Sequence, residues 1–289
     1  MTGQPDRGSA VGRMLLGIQL RRLREARGIS RKVAGHEIRG SESKISRLEL
    51  GRVGFKERDV ADLLTLYGVT AEADRAPLLE LSRQSTQPGW WNASADVLPN
   101  WFELYLGLET AATLIRTYEV QFIPGLLQTE DYARTVITQS DGPGAVSVKD
   151  VERRVDMRMS RQRILDRPDP PRLWAVLDEA ALRRPIGQPA VMRAQLERLI
   201  AVSKRPNIIV QVMPFAFGGH VAEGGAFSIL RFAEPDLSDV VYSEYLTNAL
   251  YLDKPSDVYR YSEVMNRLGI DSTAPDQAAD FLARVIAEM

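Results

Sequence analysis

"SESKISRLELGR", residues 41–52, holds three serines, two glutamates, one lysine and two arginines. Ser41 is a favoured helix N-cap, and Gly51 tolerates the left-handed backbone that ends a helix. Ile45 and Leu48, three apart, give the helix 42–50 one apolar side. Its outer side then carries Glu42, Ser43, Lys44, Ser46 and Arg47. Such a helix is either a solvated polar helix or one shaped to lie in a DNA groove, and the flanking sequence decides between them.

Upstream, "MLLGIQLRRLREAR" at 14–27 places Leu16, Leu20 and Leu23 on one face, and Gly28 stops the helix. Ser30 caps a second, short helix reaching Ile38, and Arg39-Gly40 breaks it. Residues 30–50 therefore read as two helices with a tight turn, burying Ala34, Ile38, Ile45 and Leu48. Ala34 and Gly35 are small enough for the helices to cross. In a helix-turn-helix the start of the second helix reaches base edges in the major groove. Arg47 suits guanine and Glu42 suits the amine of cytosine. Ser30, Arg31 and Lys44 suit phosphates, which position a protein without reading sequence. Arg24 at the end of the first helix and Glu49 at the end of the third can meet as a fork-to-carboxylate ion pair. Helices at 55–68 and 71–84 complete an all-α domain over 12–85.

Charge agrees with this placement. Residues 13–58 hold thirteen lysines and arginines against five acidic residues, an excess of eight positive charges in a chain whose net charge is −1. A basic block on an acidic body points to a polyanion partner for that block alone. The remaining alternative is an ordinary helical bundle with a basic face.

Residues 86–97, with Pro88, Gly89, Trp90 and Trp91, form the expected linker, its tryptophans packing on a domain. Beyond it, helices and strands mix. "WFELYLGLETAATLI" reads as helix and "RTYEVQFI" as strand. Residues 147–166 read as helix, "RLWAVL" as strand and 188–203 as helix. "NIIVQVMPF", "GAFSILRF", "DVVYSEYL" and "NALYL" follow as β-runs, and two helices close the chain at 256–268 and 275–288. The fold class is thus mixed: an all-α helix-turn-helix domain followed by an α+β domain over 98–289. Within the latter, "VMPFAFGGHVAEGGAFSI" is either the lining of a ligand site or a glycine-rich β-hairpin loop. Asp178 and Glu179 are adjacent carboxylates, but Glu179 is better used to start a helix and pair with Arg183.

Several classes are set aside. With no cysteine, disulfides, thiolate nucleophiles and cysteine-ligated zinc are excluded. His36 and His220 are the only histidines and lie in different expected domains, so no metal, cofactor or catalytic residue is expected. No run of about 18 apolar residues predicts a membrane span, and no apolar leader segment is present. A cytoplasmic protein that is not an enzyme is expected.

The motif "LRRLREARGIS…SESKISRLELGR…VADLLTLYGV" resembles the XRE/Cro-like helix-turn-helix regulators of actinomycetes. "IRTYEVQFIPGLLQTEDYAR", "LDEAALRRPIG", "VMRAQLERLI", "NIIVQVMPF" and "VVYSEYL…LYLD" follow one another as in that branch. The resemblance runs from about Leu15 to Leu268. It implies a homodimeric transcriptional regulator with an antitoxin-like C-terminal domain of unknown function; that domain is expected to sense a small-molecule effector or to bind a small partner protein. It also leaves open an antitoxin-like protein whose main role is partner binding, with DNA binding serving autoregulation. Carried over, it assigns DNA contact to Ser30, Arg31, Ser41, Glu42, Ser43, Lys44 and Arg47, and the structural ion pair to Arg24 and Glu49. The sequence departs from the family where Ala34-Gly35 stand for the usual Val-Ala, where Arg39 stands for a glycine, and where Val120 stands for a proline. The first departure predicts either a register shift with a longer turn or a loosely packed helix pair.

Overall fold

A computed structural model describes residues 8–85, 89–99, 101–141, 147–233 and 237–289. Residues 86–88, with Pro88 of the expected linker, lie outside the described residues. Two compact units are present. One runs to Ala93 and takes in Glu103–Ala111; the other holds Ser94–Phe102, Ala112–Ala233 and Ser238–Met289.

The first unit contains helices α1 (Gly8–Ala26), α2 (Arg31–Glu37), α3 (Glu42–Glu49), α4 (Glu57–Leu66) and α5 (Glu72–Gln84), with α6 (Phe102–Ala111) joining it from Glu103 onward. The helix-spaced apolar residues converge on one core: Leu16, Leu20, Ala34, Ile38, Ile45, Leu48, Val60, Leu63, Leu64 and Tyr67 are all buried. Trp90–Val97 forms a 3-10 helix, Trp91 is buried, and the Trp90 indole N–H donates to Thr110 Oγ1 at 3.3 Å. The α6 helix, which the sequence places beyond the domain boundary, groups with the first unit and is buried from Tyr105 to Ala111.

Four helix ends in this unit share one device. After α1, α2, α3 and α4 the chain turns through a left-handed residue at Gly28, Arg39, Gly51 and Gly68. After α2, for example, the Arg39 N–H donates to the His36 carbonyl at 3.0 Å and the Gly40 N–H to the Gly35 carbonyl at 2.8 Å. This is the six-to-one and five-to-two pattern that satisfies the last carbonyls of a helix. Glycine fills three of the four positions; Arg39, at φ 50°, is the one non-glycine residue with positive φ among those described.

The second unit is built on a sheet of β1 (Leu114–Glu119), β2 (Arg172–Asp178), β3 (Ile208–Met213), β4 (Phe227–Arg231), β5 (Val240–Glu244) and β6 (Ala249–Leu252), in the order β3-β2-β1-β4-β5-β6. β1, β2 and β3 run parallel, linked through α7 (Glu130–Asp141) and α8 (Val148–Gln162), then α9 (Glu179–Arg183) and α10 (Pro189–Val202). β4 joins β1 antiparallel and leads an antiparallel meander. One face, with Tyr118, Val176, Met213, Phe227, Ile229 and Val241, packs on Met265 and Leu268 of α11 (Pro255–Asp271). The chain closes with α12 (Ala278–Ala287).

Two expectations change here. The helix expected over 101–115 stops at Ala111, because Leu114 and Ile115 already pair with Arg172 and Leu173 of β2. The β-ladder is worth more to these residues than a further helical turn. The stretch 214–226 is not a hairpin loop, since β2 and β1 stand between β3 and β4. It crosses from one to the other, and the glycines serve that crossing.

Candidate nucleic-acid interface

α3 is held by its charged residues as well as its apolar side. Arg24 of α1 donates from Nε to Glu49 Oε1, from Nη2 to Glu49 Oε2 at 3.1 Å, and from Nη1 to the Ile29 carbonyl at 2.8 Å. Arg31 of α2 adds Nε to Glu49 Oε2 at 2.9 Å. Glu49 is only 4% exposed, so one buried carboxylate ties α1 and α2 to the last turn of α3. The hydrogen bond to Glu49 raises the Arg24 guanidinium above its usual range. Burial, and then the Glu49 charge, raises the Tyr67 phenol.

Backbones also approach closely. A β-carbon at Gly17 would lie 2.6 Å from the Leu48 carbonyl oxygen, and one at Gly35 would lie 2.9 Å from the Ser41 carbonyl carbon. Ala34 is fully buried and Val33 is 51% exposed. The Ala34-Gly35 register is therefore the functioning one, without a shift or a longer turn. Gly35 stands where only glycine lets α2 touch the start of α3.

The expected contact residues divide into two groups. Ser41, Glu42, Ser43 and Arg47 are exposed at the start and outer side of α3, and Arg47 has no partner among the described residues. Ser30 and Ser41 both cap: their Oγ atoms accept from Val33 N at 3.3 Å and Lys44 N at 3.1 Å. A capping hydroxyl keeps its own O–H to donate to a phosphate. Lys44 and Arg31 differ from expectation. The Lys44 Nζ sits 2.6 Å from Asp59 Oδ2, so it braces α3 against α4 instead of standing on the outer face. Arg31 gives Nε to Glu49 and leaves the rest of a guanidinium 35% exposed for a phosphate. Two exposed cations near the turn were not in the expected set: Lys32 and Arg39, both without a partner among the described residues. Lys32 was legible as the neighbour of Arg31, whereas Arg39 read only as a helix break.

This arrangement has matches among known families. Residues 15–78 match a helix-turn-helix domain, and residues 102–284 match a domain of unknown function, DUF5753, over more than half of the chain. The chain belongs to the DUF5753 family. No curated protein and no solved structure matches it. The helix-turn-helix domain supports DNA as a partner.

Within the DUF5753 domain, the two carboxylates singled out in the sequence each accept from a backbone amide. Asp178 Oδ1 accepts from Ala180 N at 2.8 Å and caps α9. Glu179 accepts from Arg183 Nε at 2.5 Å and from Phe215 N at 2.7 Å. His220, brought over by the 214–226 crossing, lies with Nε2 3.0 Å from Tyr118 Oη, which lies 3.2 Å from Asp178 Oδ2. The Ala222 N–H donates to His220 Nδ1 at 3.3 Å, so the ring proton belongs on Nε2 and the chain runs His220 to Tyr118 to Asp178. Burial, with the Asp178 charge, raises the Tyr118 phenol above its ordinary range. Among the described residues no group of His, Cys, Asp or Glu is placed to hold a metal, and no helix is long and apolar enough to cross a membrane.

Proposed function

We propose that this protein is a sequence-specific, cytoplasmic transcriptional regulator of the XRE/Cro-like, actinomycete type, acting as a homodimer, with no catalytic role. The observation that carries this reading is the free edge of α3. Glu42, Ser43 and Arg47 stand exposed on a helix whose every other side is fixed by Ile45, Leu48, Glu49 and Lys44. A helix pre-set in this way meets DNA without reorganisation. Arg47 reads guanine, Glu42 selects a base amine and favours the positive end of the helix dipole, and Ser30, Ser41, Arg31, Lys32 and Arg39 meet phosphates. Two-fold symmetry follows from the mode, since one such domain spans few bases and a second copy doubles the site. The DUF5753 domain supplies the regulatory input, either a small effector or a small partner protein.

Genome-wide immunoprecipitation from the native host gives the operator. A mobility-shift assay on that operator then compares the parent with Arg47→Ala. The variant is expected to lose about 1–3 kcal/mol of specific binding and its preference at one base pair. Unchanged specific binding by Arg47→Ala would overturn this register of the reading helix.

A further inference from the structure

The helix α8 carries Arg154, Arg158 and Arg161, a spacing of four and three that places all three on one side. That side lies by the carboxyl ends of β1 and β5, marked by Glu119 and Glu244. β1 is also where the sheet changes direction of growth: the chain leaves it toward β2 and β3, and β4 returns on its other edge.

Two of the arginines are engaged. Arg154 Nε donates to the Val97 carbonyl at 3.0 Å, and the Arg161 guanidinium lies 5.2 Å over the Phe102 ring. Arg158 stands between them. Its Nη1 donates to Gln128 Oε1 at 3.0 Å, and it forms no ion pair among the described residues. Gln128 is itself fixed, its Nε2 donating to the Ile123 carbonyl at 2.7 Å and its own carbonyl accepting from Gln162 Nε2 at 2.8 Å. Arg158 is thus posed by a neutral amide, with one of its five donors met among the described residues. Burial lowers its guanidinium to about 10, Arg161 and Arg154 push it the same way, and Glu244 opposes them. Glu119, hydrogen-bonded by Thr117 Oγ1 at 3.1 Å, is no strong counter-ion at neutrality, because burial raises its carboxyl to about 7. A partly desolvated cation beside two others, attracted by Glu244 but hydrogen-bonded to no carboxylate among the described residues, is costly to keep unless an anion joins it.

We propose that Arg158, flanked by Arg154 and Arg161, anchors an oxyanion site in the DUF5753 domain that takes the carboxylate or phosphate group of a small ligand. The planar guanidinium fork suits two oxygens of one such group. The site gives the effector alternative of the functional reading a place and a chemistry, and it rests on that reading only for its regulatory meaning.

Melting temperature of the full chain, titrated without DNA with sodium phosphate, acetate and benzoate at constant ionic strength, tests the site. At least one probe is expected to give a saturating rise, and the three separate phosphate from carboxylate recognition. Arg158→Gln, and Arg158→Lys, which keeps the charge but loses the fork, are expected to weaken the apparent affinity at least tenfold. Arg47→Ala is expected to leave it unchanged. No saturating rise with any probe, or a rise equal in parent and Arg158 variants, overturns the proposal. So does a rise that Arg47→Ala abolishes, which would place the anion on the DNA-reading surface. Because no DNA is present, failure here leaves the DNA-binding reading standing.

Discussion

Arg39 holds a backbone conformation that the three equivalent helix ends give to glycine, with φ 50° against 64–73° at Gly28, Gly51 and Gly68. A side chain there costs roughly 1–3 kcal/mol, offset partly by the greater chain entropy glycine would lose. Arg39→Gly is therefore expected to stabilise the protein by about 1 kcal/mol in urea titration. It should also weaken DNA binding and reduce the slope of log affinity against log salt by about 0.9 if Arg39 meets one phosphate. Stability gained together with affinity lost is the signature of a strained residue kept for its charge; no change in the salt slope would remove Arg39 from the interface. Glu119 is a second residue with an environmental cost. Its carboxyl, raised from 4.5 to about 7 by burial, binds protons more readily folded than unfolded. Stability is then lost as pH rises from about 4.5 through about 7. Glu119→Gln is expected to melt higher than the parent at pH 8 and close to it at pH 5; equal melting at pH 8 would contradict the burial.

At the scale of elements, α3 is positioned by neighbours rather than by its own propensity. Eight residues make a marginal helix in isolation, yet the cap at Ser41, the glycine contacts and the Glu49 ion pairs fix it on all inner sides. Glu49→Ala leaves Arg24 and Arg31 without their buried counter-charge and is expected to cost about 3–5 kcal/mol in chemical denaturation. Gly35→Ala puts a methyl against the Ser41 backbone and is expected to lower both stability, by about 1–3 kcal/mol, and operator affinity, because α2 and the start of α3 must separate. A Gly35→Ala protein with parental affinity would show that the helix pair tolerates displacement.

For the whole molecule, charge is divided unevenly. The N-terminal block's eight excess positive charges sit in a chain of net charge −1. Pairing in the fold reduces what is available to DNA, since Arg24 and Lys44 are bound to carboxylates and Arg31 partly so. Operator affinity is expected to fall steeply with salt, by about 0.9 in the log–log slope for each phosphate neutralised. Sedimentation of the full chain on a two-fold operator is expected to show two copies bound; a single copy at saturation would contradict the dimeric reading.

The sequence by itself determined the helix-turn-helix, because its evidence is local: caps at Ser30 and Ser41, stops at Gly28 and Gly51, and apolar residues at helical spacing. The outward placement of Glu42, Ser43 and Arg47 follows from the same periodicity once Ile45 and Leu48 face inward. The Arg24–Glu49 pairing was also within reach, since both residues end helices of one small bundle. Strand identities in the second domain were legible for the same local reason. What only the tertiary structure decided is non-local. Strand order turned an apparent hairpin loop into a crossing that delivers His220 to Tyr118 and Asp178. Pairing with β2 took Leu114 and Ile115 from a helix into β1. Partner choice moved Lys44 from the outer face to Asp59, brought Arg31 onto Glu49, and set Arg158 against the Gln128 amide. Such outcomes depend on which distant groups come within about 3 Å of one another, and periodicity along a chain carries no information about that distance.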